Sequence, residues 1–123
     1  MQGPKDTPSK LGPTEESILG LLGLARRAGK LAMGASAVEN LVRSGQRPVV
    51  VLVRDGSPNQ RRRWLNLHPV RGFVNDRLNR ADLGQRLGRS DLTIVAVAER
   101  GFVRGLMELG VVAEPREDSA TSR

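Results

Sequence analysis

Apolar positions recur along this chain with two alternating periods. Ile18, Leu21, Leu22, Ala25 and Ala28 follow the i, i+3, i+4, i+7 spacing of a helix face turned toward a core. A first helix is predicted there, with Thr14 as N-cap, Glu15 and Glu16 in its first turn, and Gly29 as a left-handed stop. Residues 30–33 leave room for only a brief strand. A second helix is expected over 34–44, with Val38, Leu41 and Val42 on one face and Gly45 at its end. The run VVVLV at 49–53, rich in β-branched residues, suits a strand covered on both faces. Ser57 and Pro58 form an N-cap and first-turn pair for a helix over 59–67. A weak strand falls at 70–74. Asn79 caps a helix that carries Leu83 and Leu87 and stops at Gly88. LTIVAVA at 92–98 is the second strong buried strand, and Phe102, Val103, Leu106 and Leu109 mark a last helix ended by Gly110.

The order α-β-α-β-α-β-α-β-α puts helices on both faces of a small sheet. The expected fold class is α/β, a three-layer α/β/α sandwich around a small mixed four-stranded sheet. Residues 1–13 are rich in Pro, Gly and polar residues and read as a flexible N-terminal arm, or as a linker from a fused upstream domain. Residues 114–123 read as a disordered C-terminal tail. The folded domain is thus expected over 14–113. Gly20 and Gly23 are expected to permit close helix packing.

Charge narrows the partner. With 123 residues the chain can bury one core, and its 20 Lys and Arg against 13 acids give a net charge of +7. Such a surface suits RNA, DNA or an anionic membrane. No apolar run approaches the roughly 18–20 residues that span a bilayer, and the N-terminus lacks a basic-then-apolar signal pattern. A cytoplasmic protein without a membrane partner is expected. The absence of cysteine excludes disulfides, thiolate metal sites and cysteine nucleophiles. His68, the one histidine, has neither a cysteine nor an acid at ligand spacing and no nucleophile to serve. No metal, cofactor or catalytic role is expected, and the glycines form no nucleotide-binding fingerprint.

The candidate chemistry is anion binding. Arg26, Arg27 and Lys30 cluster just before Gly34 and the amides that open the second helix. Free amide N–H groups at a helix start, with cations beside them, suit a phosphate. The same cations also complement the C-terminal dipole of the first helix. Arg61, Arg62 and Arg63 cover most of a helix circumference, so they assist electrostatically instead of facing one ligand. Between Arg54 and Arg89 there are nine arginines and three acids, which makes this half the more basic. Trp64 and Phe73 are candidates to stack on bases, although three aromatic residues are too few for a stacking platform. Phe102 lies on the core-facing side of its helix.

Four phrases, LGLARRAGKLAMG at 22–34, VVLVRDGS at 50–57, LGQRLG at 83–88 and VAVAERGFVRGL at 95–106, carry a resemblance. In this order they resemble the superfamily of ribosomal proteins seven-Ae and thirty-e, and most of all its small bacterial, YlxQ-like branch. The resemblance implies an α/β/α sandwich that binds structured RNA, typically kink-turns or related bent internal loops. It implies ribosomal or ribosome-associated RNA as the partner. The family reads RNA with the start of its second helix through a G-x-N-E-x-x-K-like pattern, which falls here on Gly34, Ala35, Ser36, Ala37, Val38, Glu39 and Asn40. The glycine matches, whereas Ser36, Ala37 and Asn40 replace the family's Asn, Glu and Lys. A base edge is read by paired donors and acceptors, and Ala37 offers neither. The resemblance adds Arg54 and Asp55 after the second strand, and Arg89, Ser90, Asp91 and Leu92 before the last one. Lys30 and Arg43 are expected to support the edge of this site, and the loop at Leu92 to pack against an exposed base. Two other readings stay open: an RNA-recognition domain of a larger protein such as a ribose methyltransferase, and a protein-interaction module without RNA binding.

Overall fold

A computed structural model describes residues 11–115; the expectations for 1–10 and 116–123 lie outside the described residues. Nine elements follow in the expected order: α1 (Pro13–Arg27), β1 (Leu31–Met33), α2 (Ala35–Arg43), β2 (Val49–Leu52), α3 (Pro58–Trp64), β3 (Gly72–Val74), α4 (Arg80–Leu87), β4 (Ile94–Val97) and α5 (Arg100–Glu108). The sheet has the order β1-β4-β2-β3; β4 is antiparallel to both neighbours, and β2 and β3 are parallel. It is the mixed four-stranded sheet of an α/β fold.

Alternation along β2 divides the core between the two faces. Val49, Val51 and Val53 pack with Ile18, Leu22, Leu83 and Leu106 on the side of α1, α4 and α5. Val50 and Leu52 pack with Val38, Val42 and Trp64 on the side of α2 and α3. Every residue of β2 and β4 is buried, which explains why both strands read as continuous apolar runs.

Several stops and caps act as expected. Ser57 accepts from Gln60 N–H, and Asn79 forms a reciprocal capping box with Asp82 at 2.8 and 3.0 Å. Gly29, Gly45, Gly88 and Gly110 all take positive φ just past their helices. Other expectations are corrected. The N-cap of α1 is Gly12, with Pro13 at N1, and Thr14 already lies inside the helix. Proline at N1 loses no hydrogen bond, because that N–H has no helical acceptor. Gly20 and Gly23 meet nothing within 4 Å; the close approach of α1 and α5 is at Gly105, whose added Cβ would lie 3.0 Å from Leu21 Cδ2. Phe102 is half-buried at the margin of the core.

The outer edge of β3 is covered by the chain beyond α5. Phe73 and Ala113 exchange both backbone hydrogen bonds, at 2.8 and 2.7 Å. This return passes so close that a Cβ on Gly72 would lie 2.5 Å from Val112 Cγ1. β1 forms the opposite edge and, among the described residues, has β4 as its single neighbour.

Candidate nucleic-acid interface

Strand direction decides which loops meet. The pairings make β1, β2 and β3 run one way and β4 the other. The ends of β1 and β2 and the start of β4 therefore share one end of the sheet. That end carries Gly34 and the first turn of α2, Arg54 and Asp55 after β2, and 89–92 before β4. Gly34 N–H is held by Ile94 O at 2.9 Å, and Val53 N–H by Thr93 O at 3.2 Å. Three of the expected segments are thus brought together.

The start of α2 is the centre of this surface. Gly34 is the N-cap with φ 94° and ψ 163°, and it supplies no side-chain cap. The first helical bond is Val38 N–H to Gly34 O at 3.0 Å. The amides of Ala35, Ser36 and Ala37 precede it and have no helical acceptor, as at any helix start. No acid lies in the first turn. Arg89 reaches the N-cap from the α4–β4 loop: its Nη2 is 3.3 Å from where a Cβ on Gly34 would sit, and its Nη1 is 3.4 Å from Met33 O. A guanidinium, bare amides and the exposed Ser36 hydroxyl therefore share one corner, with donors dominating.

The surrounding residues are less free than their types suggest. Asp55 Oδ1 accepts Arg80 N–H at 2.9 Å and ties the loop after β2 to the start of α4. Arg61 points inward, donating to Val53 O and Asn75 Oδ1, each at 2.9 Å, so it braces this end and is not a free cation. Arg63, Arg77, Arg80 and Arg86 have carboxylates within 4 Å, as Arg61 does. Five of the nine arginines in the basic half are therefore paired among the described residues. At the site end, Arg54 and Arg89 carry exposed guanidiniums without such a partner.

Three expectations about side chains are corrected. Leu92 is 1% exposed and belongs to the core beside α1 and α4, so it anchors the loop and presents nothing to a base. Trp64 and Phe73 are buried between the sheet and α3, which removes both from stacking. Lys30 and Arg43 lie toward the opposite end of the sheet. Lys30 precedes β1, about 13 Å of extended chain from Gly34. Arg43 closes α2, whose nine residues span about 13 Å, and there it donates to Asn40 Oδ1 at 2.9 Å. Ser90 and Asp91 are exposed beside Arg89, with Asp91 at φ 59°.

No protein-family model matches the chain. A curated relative does: the RNA-binding protein YlxQ of Bacillus subtilis is 31% identical over 100 residues, covering 72% of this chain and 90% of the relative. The chain belongs to the YlxQ family. That family lies within the superfamily of ribosomal proteins seven-Ae and thirty-e. Among solved structures, a protein of unknown function from Bacillus halodurans superposes with a TM-score of 0.65 at 32% identity, over 75% of this chain and 94% of that one. The Giardia lamblia 15.5kD RNA binding protein shares the fold at a TM-score of 0.59 and 14% identity, over 88% and 93%. In this YlxQ-family chain Gly34, Ser36 and Arg89 share one exposed corner at the start of α2.

Proposed function

We propose that this protein is a non-catalytic RNA-binding protein that holds a bent, structured RNA by its backbone at the start of α2. The observation that carries the reading is the Arg89 guanidinium beside the Gly34 N-cap, at the entry to a helix turn that has uncapped amides and no acid. Membership of the YlxQ family supports RNA as the polyanion, and the superfamily supports a kink-turn-like bend in ribosomal or ribosome-associated RNA.

Gly34, Ala35, Ser36 and Ala37 supply amides to phosphate or sugar oxygens, and Arg54 and Arg89 supply charge from two sides. Ser90 and Asp91 lie exposed beside Arg89, buried Leu92 anchors their loop to the core, and Asp55 ties the loop after β2 to α4. Ser36 donates a single hydrogen bond where the family pattern has an amide pair, and Ala37 contributes no side-chain polar atom. Recognition therefore rests on the shape of the bend more than on base edges.

Gel-shift titrations with a kink-turn RNA, an unstructured RNA of equal length and a duplex DNA test this across a range of salt. The kinked RNA is expected to bind tightest at every salt concentration. Equal affinity for all three, falling together as salt rises, would reduce the activity to nonspecific electrostatics and overturn the proposal.

A further inference from the structure

We infer that the groove between α2 and the open edge of β1 holds a short unpaired RNA strand running on from the α2 start toward Lys30. The inference rests on the RNA-binding reading and extends it to a second contact surface. The groove has a volume of about 550 Å³, and its walls include Lys30, Leu31, Ala37, Asn40, Ser44 and Gln46. Ala37 belongs both to the proposed RNA site and to the groove wall, so the two surfaces adjoin along α2.

Its chemistry matches one strand of nucleotides. Lys30 is exposed at the far end, and Arg43, outside the lining itself, donates to Asn40 Oδ1, whose residue lines the groove. The one carboxylate in the lining, Glu99, is committed to its own helix, with Oε1 accepting Phe102 N–H at 3.1 Å. Lys30 and the neighbouring Arg43 outnumber that single carboxylate, which leaves a small positive excess there. Leu31, Ala37 and half-buried Leu41 give an apolar wall against which a base can lie. The Asn40 amide nitrogen and the exposed Gln46 amide offer hydrogen bonds to a base edge. The volume lies within the few hundred Å³ typical of small-ligand pockets, enough for an unstacked base. No aromatic side chain lines the groove, so shape and amide contacts hold the base in place of stacking. A duplex presents paired and stacked bases with no free edge to such a slot. The groove thus selects an unpaired extension.

Two forms of one kink-turn RNA test this by fluorescence anisotropy at 0.15 M salt: one with blunt ends, one with a short unpaired extension, placed 5′ or 3′ in separate arms. The extended RNA is expected to bind about three- to tenfold more tightly in one arm. Lys30→Glu and Gln46→Ala, both at exposed positions, are expected to erase that gain and leave blunt affinity unchanged. Screening supports this, because Lys30 is about 13 Å from Gly34 and the Debye length is about 8 Å. Blunt binding without any extension gain overturns the groove and spares the α2 site. Lys30→Glu weakening both RNAs equally also overturns it, since that is general attraction. Absence of binding by either RNA overturns both readings. Self-association through β1 in sedimentation, with no extension effect, would make the groove a strand-pairing surface and likewise overturn the proposal.

Discussion

Replacing Gly34 with alanine separates backbone strain from side-chain crowding at the α2 start. At φ 94° and ψ 163° an L-residue meets its own backbone, a strain of about 1–3 kcal/mol. The added Cβ would also lie 3.3 Å from Arg89 Nη2, but a guanidinium at the end of a flexible side chain yields a few tenths of an ångström easily. The backbone contribution therefore dominates. Gly34→Ala is expected to lose about 1–3 kcal/mol, a fall in Tm of roughly 4–20 °C for a domain of this size. Thermal and urea unfolding followed by circular dichroism measure the loss. The same substitution in an Arg89→Ala background should give the same loss to within about 0.5 kcal/mol. A loss smaller than that, or full rescue by Arg89→Ala, refutes the reasoning. In RNA titrations the single variant should also bind more weakly, because relief of the strained Gly34 backbone shifts the amides at the α2 start.

Other outcomes follow from burial and charge. Leu92→Ala should cost about 2–5 kcal/mol, since it empties part of the core; a variant of undiminished stability that loses RNA binding would restore Leu92 to the interface. Gly72→Ala places a Cβ 2.5 Å from Val112 Cγ1 and 2.6 Å from Ala113 O, so it should lose about 1–3 kcal/mol. Its hydrogen exchange should quicken at Phe73 and Ala113. Glu15 accepts from its own backbone N–H and then from Arg77, and both hold its carboxyl below the usual 4.5. A lowered folded pKa stabilises the fold above the unfolded value and is lost as pH falls through the folded one. Acid titration of stability should therefore fall below about pH 4.5, and Glu15→Gln should flatten that fall.

The fold was legible because local signals and burial agree. VVVLV and the centre of LTIVAVA are covered on both faces, and Ser57, Asn79, Gly88 and Gly110 sit where helix starts and stops need them. The start of α1 departs from the Thr14 cap because Pro13, fixed at helical φ, sets the entry two residues earlier, with Gly12 as N-cap. The site was legible in part. Gly34, Arg54 and Arg89 meet because the strand directions bring their loops to one end. Lys30 is four residues from Gly34 in sequence, yet an intervening extended strand separates them, which proximity along the chain conceals. Leu92 and Trp64 show the complementary difficulty: an apolar residue beside a loop carries no mark of whether it faces inward. The inward turn of Arg61 had no sequence signal, since its acceptors are Val53 O and the distant Asn75.

The return of the chain at Ala113 makes the molecule one-sided as a building block. One flank of the sheet is already occupied by its own backbone, so association by strand addition through the other flank closes at two copies. Cutting the chain ahead of Val112 would uncover the β3 margin as well, so that strand addition would no longer be limited to one side.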